Sequence, residues 1–152
     1  MSVVPSHRPQ PVFEQLPRGR GCGYYSYSPA NRQYGTHSTI QMLLELARQQ
    51  AVNLPNLPIQ IGDISFQDGS NMPPHQAHRY GRNVDIRPFR KDGHLLHVTI
   101  HDNAYDRDMT ELLVRNLLAH RNVRRILFND TKIQGVHPYP GHDNHLHVET
   151  KA

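Results

Sequence analysis

Apolar side chains recur with helical spacing in two segments of this chain. The first segment covers residues 38–50, where four apolar side chains share one helical face: Ile40, Leu43, Leu44 and Ala47. The second covers residues 109–120, with a matching face formed by Met109, Leu112, Leu113 and Leu117. Ser38, followed by a glutamine three residues later, predicts a capping box for the first helix, and Asp108 suits the start of the second.

Short runs of aliphatic and β-branched residues predict strands between and after these helices. The runs cover residues 59–61, 84–86, 95–100, 123–128 and 145–149. Asp92-Gly93 is the dipeptide of a tight hairpin turn, and it separates the second run from the third. Residues 1–36 and 66–74 are rich in turn-forming residues and are predicted to be irregular. Separate helices and short strands predict an α+β fold, with a small, mainly antiparallel sheet and flanking helices.

The length of 152 residues fits a single domain, residues 1–152, whose first 15 residues are expected to form an irregular segment. A net charge of +4 favours a polyanionic environment, such as nucleic acid, phospholipid or an anionic cell wall, without choosing among them. Cys22 is the only cysteine, which excludes an internal disulfide. No stretch approaches the roughly 20 apolar residues of a membrane span, and the N-terminus lacks the apolar core of a signal peptide.

Histidine is unusually frequent, with twelve residues against thirteen acidic ones, and it concentrates in two segments. The first segment, HQAHRYGRNVD, contains His78 and Asp85, and the second, GHDNHLHVE, contains His142, His145 and His147. Side chains alternate between the faces of a strand, so the last two histidines share one face while the apolar residues between them share the other. The carboxylate of Asp85, which lies between a valine and an isoleucine, is likewise expected to face away from the core.

A histidine, an aspartate, a second histidine and one water form the open tetrahedral site of a catalytic zinc ion. Metals that prefer oxygen ligands would not select two imidazoles. A closed structural zinc site ordinarily uses cysteines, of which this chain has one. Together the two segments therefore predict one catalytic zinc, which would lower the pKa of its bound water to about 7. Five other histidines are expected to be surface or hydrogen-bonded residues: His7, His37, His101, His120 and His137.

Further motifs surround these two segments. They are GCGY at 21–24, YGT at 34–36, IGDIS at 61–65, PPHQAH at 73–78, YD at 105–106 and PYPGHD at 138–143. With the histidine segments they cover roughly residues 16–150, and in this order they resemble the penicillin-insensitive murein endopeptidases. That family belongs to the lysostaphin, D-Ala-D-Ala peptidase and hedgehog-like group of zinc folds, and the resemblance implies the same fold here.

The resemblance also implies a role for each residue of the site. Zinc would be held by His78, Asp85 and His147. His145 would lie beside the metal, where it activates water or stabilises the oxyanion, assisted by His142. No glutamate occupies an obvious base position beside the His-x-His pair, and a histidine base fits that gap.

Three further residues are expected to contribute less directly. His75 resembles a residue that can bind a second metal in the family, but the spacing of residues 92–94, where its partners would fall, does not match. We therefore expect one functional zinc. Asp63 and Tyr80 are predicted substrate contacts from their positions alone.

The expected reaction is hydrolysis of the D-Ala–meso-diaminopimelate cross-link of peptidoglycan, in the periplasm or outside the cell. The family is usually exported, whereas this N-terminus has no conventional signal, which suggests a phage lysin, a secreted effector or a trimmed chain. The preference between D,D and L,D cross-links and the oligomeric state stay open at this stage.

Three alternatives accompany this prediction. A D,D- or L,D-carboxypeptidase or dipeptidase acting on stem peptides would use the same fold and metal. A hedgehog-like module could bind zinc without turnover, although it would have no need of His142 and His145. The run GHDNHLH superficially resembles histidine–asparagine–histidine nucleases, which need a helix after the hairpin. Only five residues follow His147, so no nucleic-acid partner is expected.

Overall fold

The computed structural model describes residues 13–18, 22–74, 78 and 80–151. Within them the chain forms an α+β fold with two helices, a mixed six-stranded sheet and a small two-stranded sheet. The helices are α1 (His37–Asn53) and α2 (Arg107–Ala119), and a 3₁₀ turn covers Ala30–Arg32. The strands are β1 (Glu14–Gln15), β2 (Tyr24–Ser26), β3 (Tyr34–Gly35), β4 (Ile59–Ile61), β5 (Asn83–Ile86), β6 (Val123–Leu127), β7 (Val136–His137) and β8 (Leu146–Thr150).

The six-stranded sheet has the order β2-β4-β5-β8-β6-β7. Its three central pairings are antiparallel, whereas the outer pairings, β2 with β4 and β6 with β7, are parallel. The sheet is therefore mixed: three of its five pairings are antiparallel, in line with the prediction, and two are parallel, which was not predicted. The two parallel pairings were missed because both outer strands have only two or three residues, too few for a local pattern to reveal a strand or its partner.

Part of residues 1–36, which were predicted to be irregular, forms regular structure. Strands β1, β2 and β3 and the 3₁₀ turn all lie before residue 37. β1 pairs with β3 in the two-stranded sheet, and β2 extends the main sheet beside β4. Because each of these strands has only two or three residues, none shows a readable alternation of apolar and polar positions.

Both helices begin earlier than predicted because the capping residue is two positions upstream in each case. Thr36, not Ser38, caps α1, and its hydroxyl accepts a hydrogen bond from the backbone N–H of Thr39 at 3.2 Å. Asp106 caps α2 and accepts from a backbone N–H three residues on, at 3.0 Å. Asp108 lies inside the first turn, where a negative charge still favours the helix.

The predicted strand at residues 95–100 is wrong, since that segment is irregular. Asp92 closes its own turn by accepting hydrogen bonds from the backbone N–H of His94 and from the guanidinium of Arg90. The same guanidinium donates to the carbonyl of His97 at 3.0 Å, and residue 90 forms its β-bridge with Tyr105. The turn therefore leads into a loop instead of a returning strand.

The buried carboxylate of Asp130 ties the start of α2 to the loop after β6. Its Oδ2 accepts from the hydroxyl of Tyr105 at 2.6 Å and from Nε of Arg107 at 2.8 Å, and its Oδ1 accepts from a backbone N–H. Burial raises the pKa of Asp130, but these hydrogen bonds and the charge of Arg107 outweigh it and hold the pKa below its ordinary value.

One apolar core contains the buried faces of both helices and one face of the sheet. The sheet contributes the alternate residues Val84, Ile86, Ile126, Leu146 and Val148. The residues between them point to the opposite face because side chains alternate along a strand. That opposite face carries the polar side chains of the candidate site. No helix of the described chain is long and apolar enough to cross a membrane.

Candidate metal centre

The antiparallel register of β5 and β8 places Asp85 directly opposite His147. Leu127 of β6 is the partner of His147 on its other side. His78 comes from the loop before β5, and its Nδ1 lies 2.7 Å from the carbonyl oxygen of Ile64. Two neighbouring strands and one anchored loop therefore converge on a single point of the sheet.

The three residues predicted to hold zinc lie together and are buried. Nε2 of His78 is 3.2 Å from Oδ1 of Asp85, and Nδ1 of His147 is 3.6 Å from the same oxygen. The two imidazole rings meet edge to face, with centroids 5.1 Å apart. One donor atom from each residue lies within 4.8 Å of the other two, so the group could hold a metal ion.

The far nitrogen of each imidazole faces an acceptor oxygen. Nδ1 of His78 pairs with the carbonyl of Ile64, and Nε2 of His147 lies 3.1 Å from Oδ1 of Asn83. An N–H at each of these positions leaves the inward nitrogens, those nearest Asp85, able to bind a cation. Two such imidazoles and one carboxylate are the donor set that suits zinc.

Asp85 is held in its charged form. Burial favours the neutral carboxyl, but the close imidazoles of His147 and His78 and the positive charge that His78 and His145 can carry hold its pKa well below the ordinary range. A proton and a divalent cation compete for the same inward nitrogens, so cation binding releases protons. The residues present therefore fit a divalent metal of the zinc type.

A second group that could hold a metal consists of His142, His145 and His147. It shares His147 with the first group, and Nε2 of His145 is 3.8 Å from Oδ1 of Asp85. The ring centroid of His142 lies 4.6 Å from that of His145 and 5.6 Å from that of His147. Only the first group includes a carboxylate and is buried throughout, whereas His142 and His145 are partly exposed.

Backbone and side-chain oxygens orient both partly exposed histidines. Nδ1 of His145 is 2.8 Å from Oδ1 of Asn144. Nδ1 of His142 is 3.0 Å from the carbonyl of Pro140 and 3.2 Å from that of Tyr139. In both residues an N–H at Nδ1 satisfies these acceptors and leaves Nε2 available for chemistry.

Asn129 anchors the loop that carries His142. Its Oδ1 accepts from the backbone N–H of Tyr139 at 2.8 Å, and its Nδ2 donates to Oδ1 of Asp143 at 2.7 Å. Its own backbone N–H donates to the carbonyl of His142 at 3.0 Å. The bond from Asn129, with a smaller contribution from His101, holds the pKa of Asp143 below its ordinary value. The sequence pattern did not single out Asn129, whose only local signal is a polar side chain directly after the apolar residues 126–128.

A cavity of about 720 Å³ opens beside the histidines. Its wall includes all four histidines of the two groups, the exposed ring of Tyr139, and the ion pair of Arg125 with Glu149. The guanidinium of Arg125 donates from Nε and Nη2 to the two carboxylate oxygens of Glu149, at 2.7 and 3.1 Å. The volume lies within the range of roughly 300–1,000 Å³ for ligand-binding sites.

Asp63 and Tyr80, the predicted substrate contacts, do not line this cavity. Asp63 accepts two hydrogen bonds from Arg32, both at 2.9 Å, and one from Ser28 at 2.7 Å. Tyr80 is exposed, and neither it nor Asp63 is among the described residues that line the cavity. His75, predicted as a possible second metal or substrate residue, lies outside the described residues.

Comparison with models of known protein families finds no match to this chain, and comparison with curated proteins finds none either. The fold, the site and the sequence motifs therefore indicate the class of protein. These define an α+β domain with a buried histidine–aspartate group that could hold a metal, next to an open cavity lined by further histidines.

Proposed function

We propose that this chain is a zinc-dependent peptidase of the murein endopeptidase type, with a hedgehog and D-Ala-D-Ala peptidase-like fold. Its proposed reaction is hydrolysis of the D-Ala–meso-diaminopimelate cross-link of peptidoglycan, in the periplasm or outside the cell. The observation that carries the proposal is the convergence of His78, Asp85 and His147. The two histidines of this group lie in the wall of a cavity that His142 and His145 also line. The motifs of the sequence support the choice of substrate.

One zinc ion would be held by Nε2 of His78, the carboxylate of Asp85 and Nδ1 of His147, consistent with the oxygens that face their outer nitrogens. Bound zinc would polarise the scissile carbonyl and lower the pKa of a water molecule to about 7. The protein itself contributes the position of the substrate and the transfer of protons.

His145 is the proposed general base. Its Nε2 lies at the edge of the ligand group, 3.8 Å from Asp85, while its Nδ1 faces the side chain of Asn144. Nε2 accepts a proton from the attacking water and returns it to the leaving amine. The oxygen of water thus ends on the new carboxylate and its proton on the new amine, so no acyl-enzyme forms and β-lactams have no nucleophile to block.

His142 shares this role. Its ring lies next to that of His145, and the carbonyls of Pro140 and Tyr139 hold its Nδ1 side. When it is protonated, the N–H at Nε2 can donate to the oxyanion of the tetrahedral intermediate, where a positioned donor is most effective. The net charge of +4 suits an anionic cell-wall substrate. Contacts of Asp63 and Tyr80 with the substrate stay predictions.

Digestion of purified cross-linked muropeptide dimers by the zinc-loaded protein, followed by mass spectrometry, tests this function. We expect dimers to become monomers with the wild type and with His120→Ala, which changes a histidine that pairs with Glu45 of α1 and does not line the cavity. Cleavage should stop with His147→Ala and after chelation. Loss of a terminal D-alanine alone would instead indicate a carboxypeptidase, and tight zinc binding without any cleavage would indicate a module without turnover.

A further inference from the structure

The outer nitrogen of His147 points along the sheet towards the next row of side chains. In the pairing of β5 with β8, Asn83 is opposite Glu149, one row away from the pair formed by Asp85 and His147. Oδ1 of Asn83 lies 3.1 Å from Nε2 of His147. Asn83 is only 9% exposed and His147 only 6%, so water has little access to this contact.

Glu149 is the competing acceptor in this row. Its Oε1 is 3.9 Å from Nε2 of His147, beyond the range of a hydrogen bond. The two bonds from Arg125 hold the carboxylate of Glu149 towards β6. The side-chain carbonyl of Asn83, and not the carboxylate of Glu149, therefore lies within bonding distance of this N–H.

We propose that Asn83 is a positioning residue of the metal centre. Its carbonyl accepts the N–H at Nε2 of His147 and so fixes the tautomer in which the lone pair of Nδ1 is directed towards Asp85. Holding the imidazole in this form raises metal affinity, because the ligand needs neither to turn nor to move a proton before it binds. The inference rests on the metal centre of the proposed function and does not require peptidase activity.

The amide of Asn83 also avoids an electrostatic cost. An aspartate at this position would place a second carboxylate directly opposite Glu149, and like charges across a strand pair are destabilising. The amide oxygen accepts the same hydrogen bond without adding charge. Asn83→Asp therefore keeps the acceptor, whereas Asn83→Leu removes it with little change in volume.

The test compares these two variants with Gln60→Leu, which replaces a buried amide of β4 that bonds to Arg87 and to none of the histidines of the site. Zinc affinity is measured by competition with a chromophoric chelator, and Co²⁺ absorption reports the ligand geometry. Long-range ¹H–¹⁵N NMR before metal loading reports which nitrogen of His147 carries the proton. Asn83→Ala replaces Asn83→Leu if the latter does not fold.

We expect Asn83→Leu to weaken zinc binding by roughly 10- to 100-fold and to give a mixture of His147 tautomers. Asn83→Asp should keep one tautomer and bind zinc within a few-fold of the wild type, and Gln60→Leu should match the wild type. Unchanged zinc affinity in Asn83→Leu, or a single unchanged tautomer, would overturn the inference, as would failure of the wild type to bind zinc. Zinc binding without cleavage of muropeptides would overturn the proposed function alone.

Discussion

Asn129 is expected to control catalysis without controlling metal binding. Asn129→Ala removes two side-chain hydrogen bonds, one to the backbone of Tyr139 and one to the carboxylate of Asp143. A neutral hydrogen bond contributes about 1 kcal/mol and one to a charged group about 1.5–3 kcal/mol. Because the loop is partly exposed, we take the lower end and expect the positioned loop to lose about 2 kcal/mol relative to displaced arrangements.

A loss of about 2 kcal/mol changes the equilibrium between positioned and displaced loops by up to about 30-fold. We therefore expect kcat/KM for muropeptide dimers to fall roughly 5- to 30-fold in Asn129→Ala. Zinc affinity should stay within about two-fold, because His78 and Asp85 lie on other segments and β8, which carries His147, is paired on both sides.

The matched control is Asn122→Ala, an asparagine at the opposite end of β6 whose side chain is not part of the loop network. It should keep wild-type activity. The assay combines steady-state cleavage of dimers with chelator competition on the same preparations. Wild-type kcat/KM in Asn129→Ala, or a parallel collapse of zinc affinity, would refute the assignment of Asn129 to the His142 loop.

Three other changes have defined outcomes. Asp130→Asn should lower the free energy of unfolding by about 1–3 kcal/mol at pH 7. The pKa of Asp130 is lower in the folded protein, so its stabilising contribution is present above the unfolded pKa, about 4, and is lost as the pH falls through the folded pKa. In urea denaturation, the difference in unfolding free energy between wild type and Asp130→Asn should therefore be smaller at pH 3 than at pH 7. Thr36→Ala should cost about 1 kcal/mol of stability by removing the cap of α1, whereas Ser38→Ala should cost far less. His78→Ala should abolish tight zinc binding in a chelator competition, whereas His120→Ala, which changes a histidine paired with a glutamate of α1, should leave it intact.

Each of these outcomes can contradict the structure. A difference in unfolding free energy between wild type and Asp130→Asn that is as large at pH 3 as at pH 7, or larger, would contradict the depressed pKa. Equal losses from the changes at Thr36 and Ser38 would contradict the position of the cap. Tight zinc binding by His78→Ala would exclude that histidine as a ligand.

The pattern of apolar and polar residues was sufficient to predict the central part of the fold. The alternation around Asp85 and around His147 correctly placed both side chains on the face opposite the core. Strand β4 was predicted with its observed bounds, and β5, β6 and β8 within one residue at each end. These elements are long or apolar enough for burial to determine their structure.

The parts that the sequence did not reveal depend on pairings and side-chain hydrogen bonds that a pattern of apolar and polar residues does not display. The edge strands β2 and β7 exist because they pair with β4 and β6, and residues 95–100 form a loop because Asp92 closes its own turn. Asn83 and Asn129 are isolated asparagines, and nothing in their neighbourhood distinguishes them. Their roles follow from the folded structure alone. The strand register places Asn83 beside His147, and the loop that carries His142 returns to Asn129.

The most direct test of the central claim is a crystal structure of the zinc-loaded protein with anomalous data collected at the zinc edge. We predict one strong peak at about 2.0–2.2 Å from Nε2 of His78, a carboxylate oxygen of Asp85 and Nδ1 of His147. A zinc peak bound by His142 and His145 but not by His78 and Asp85 would contradict the account. So would the absence of a peak near any of these residues.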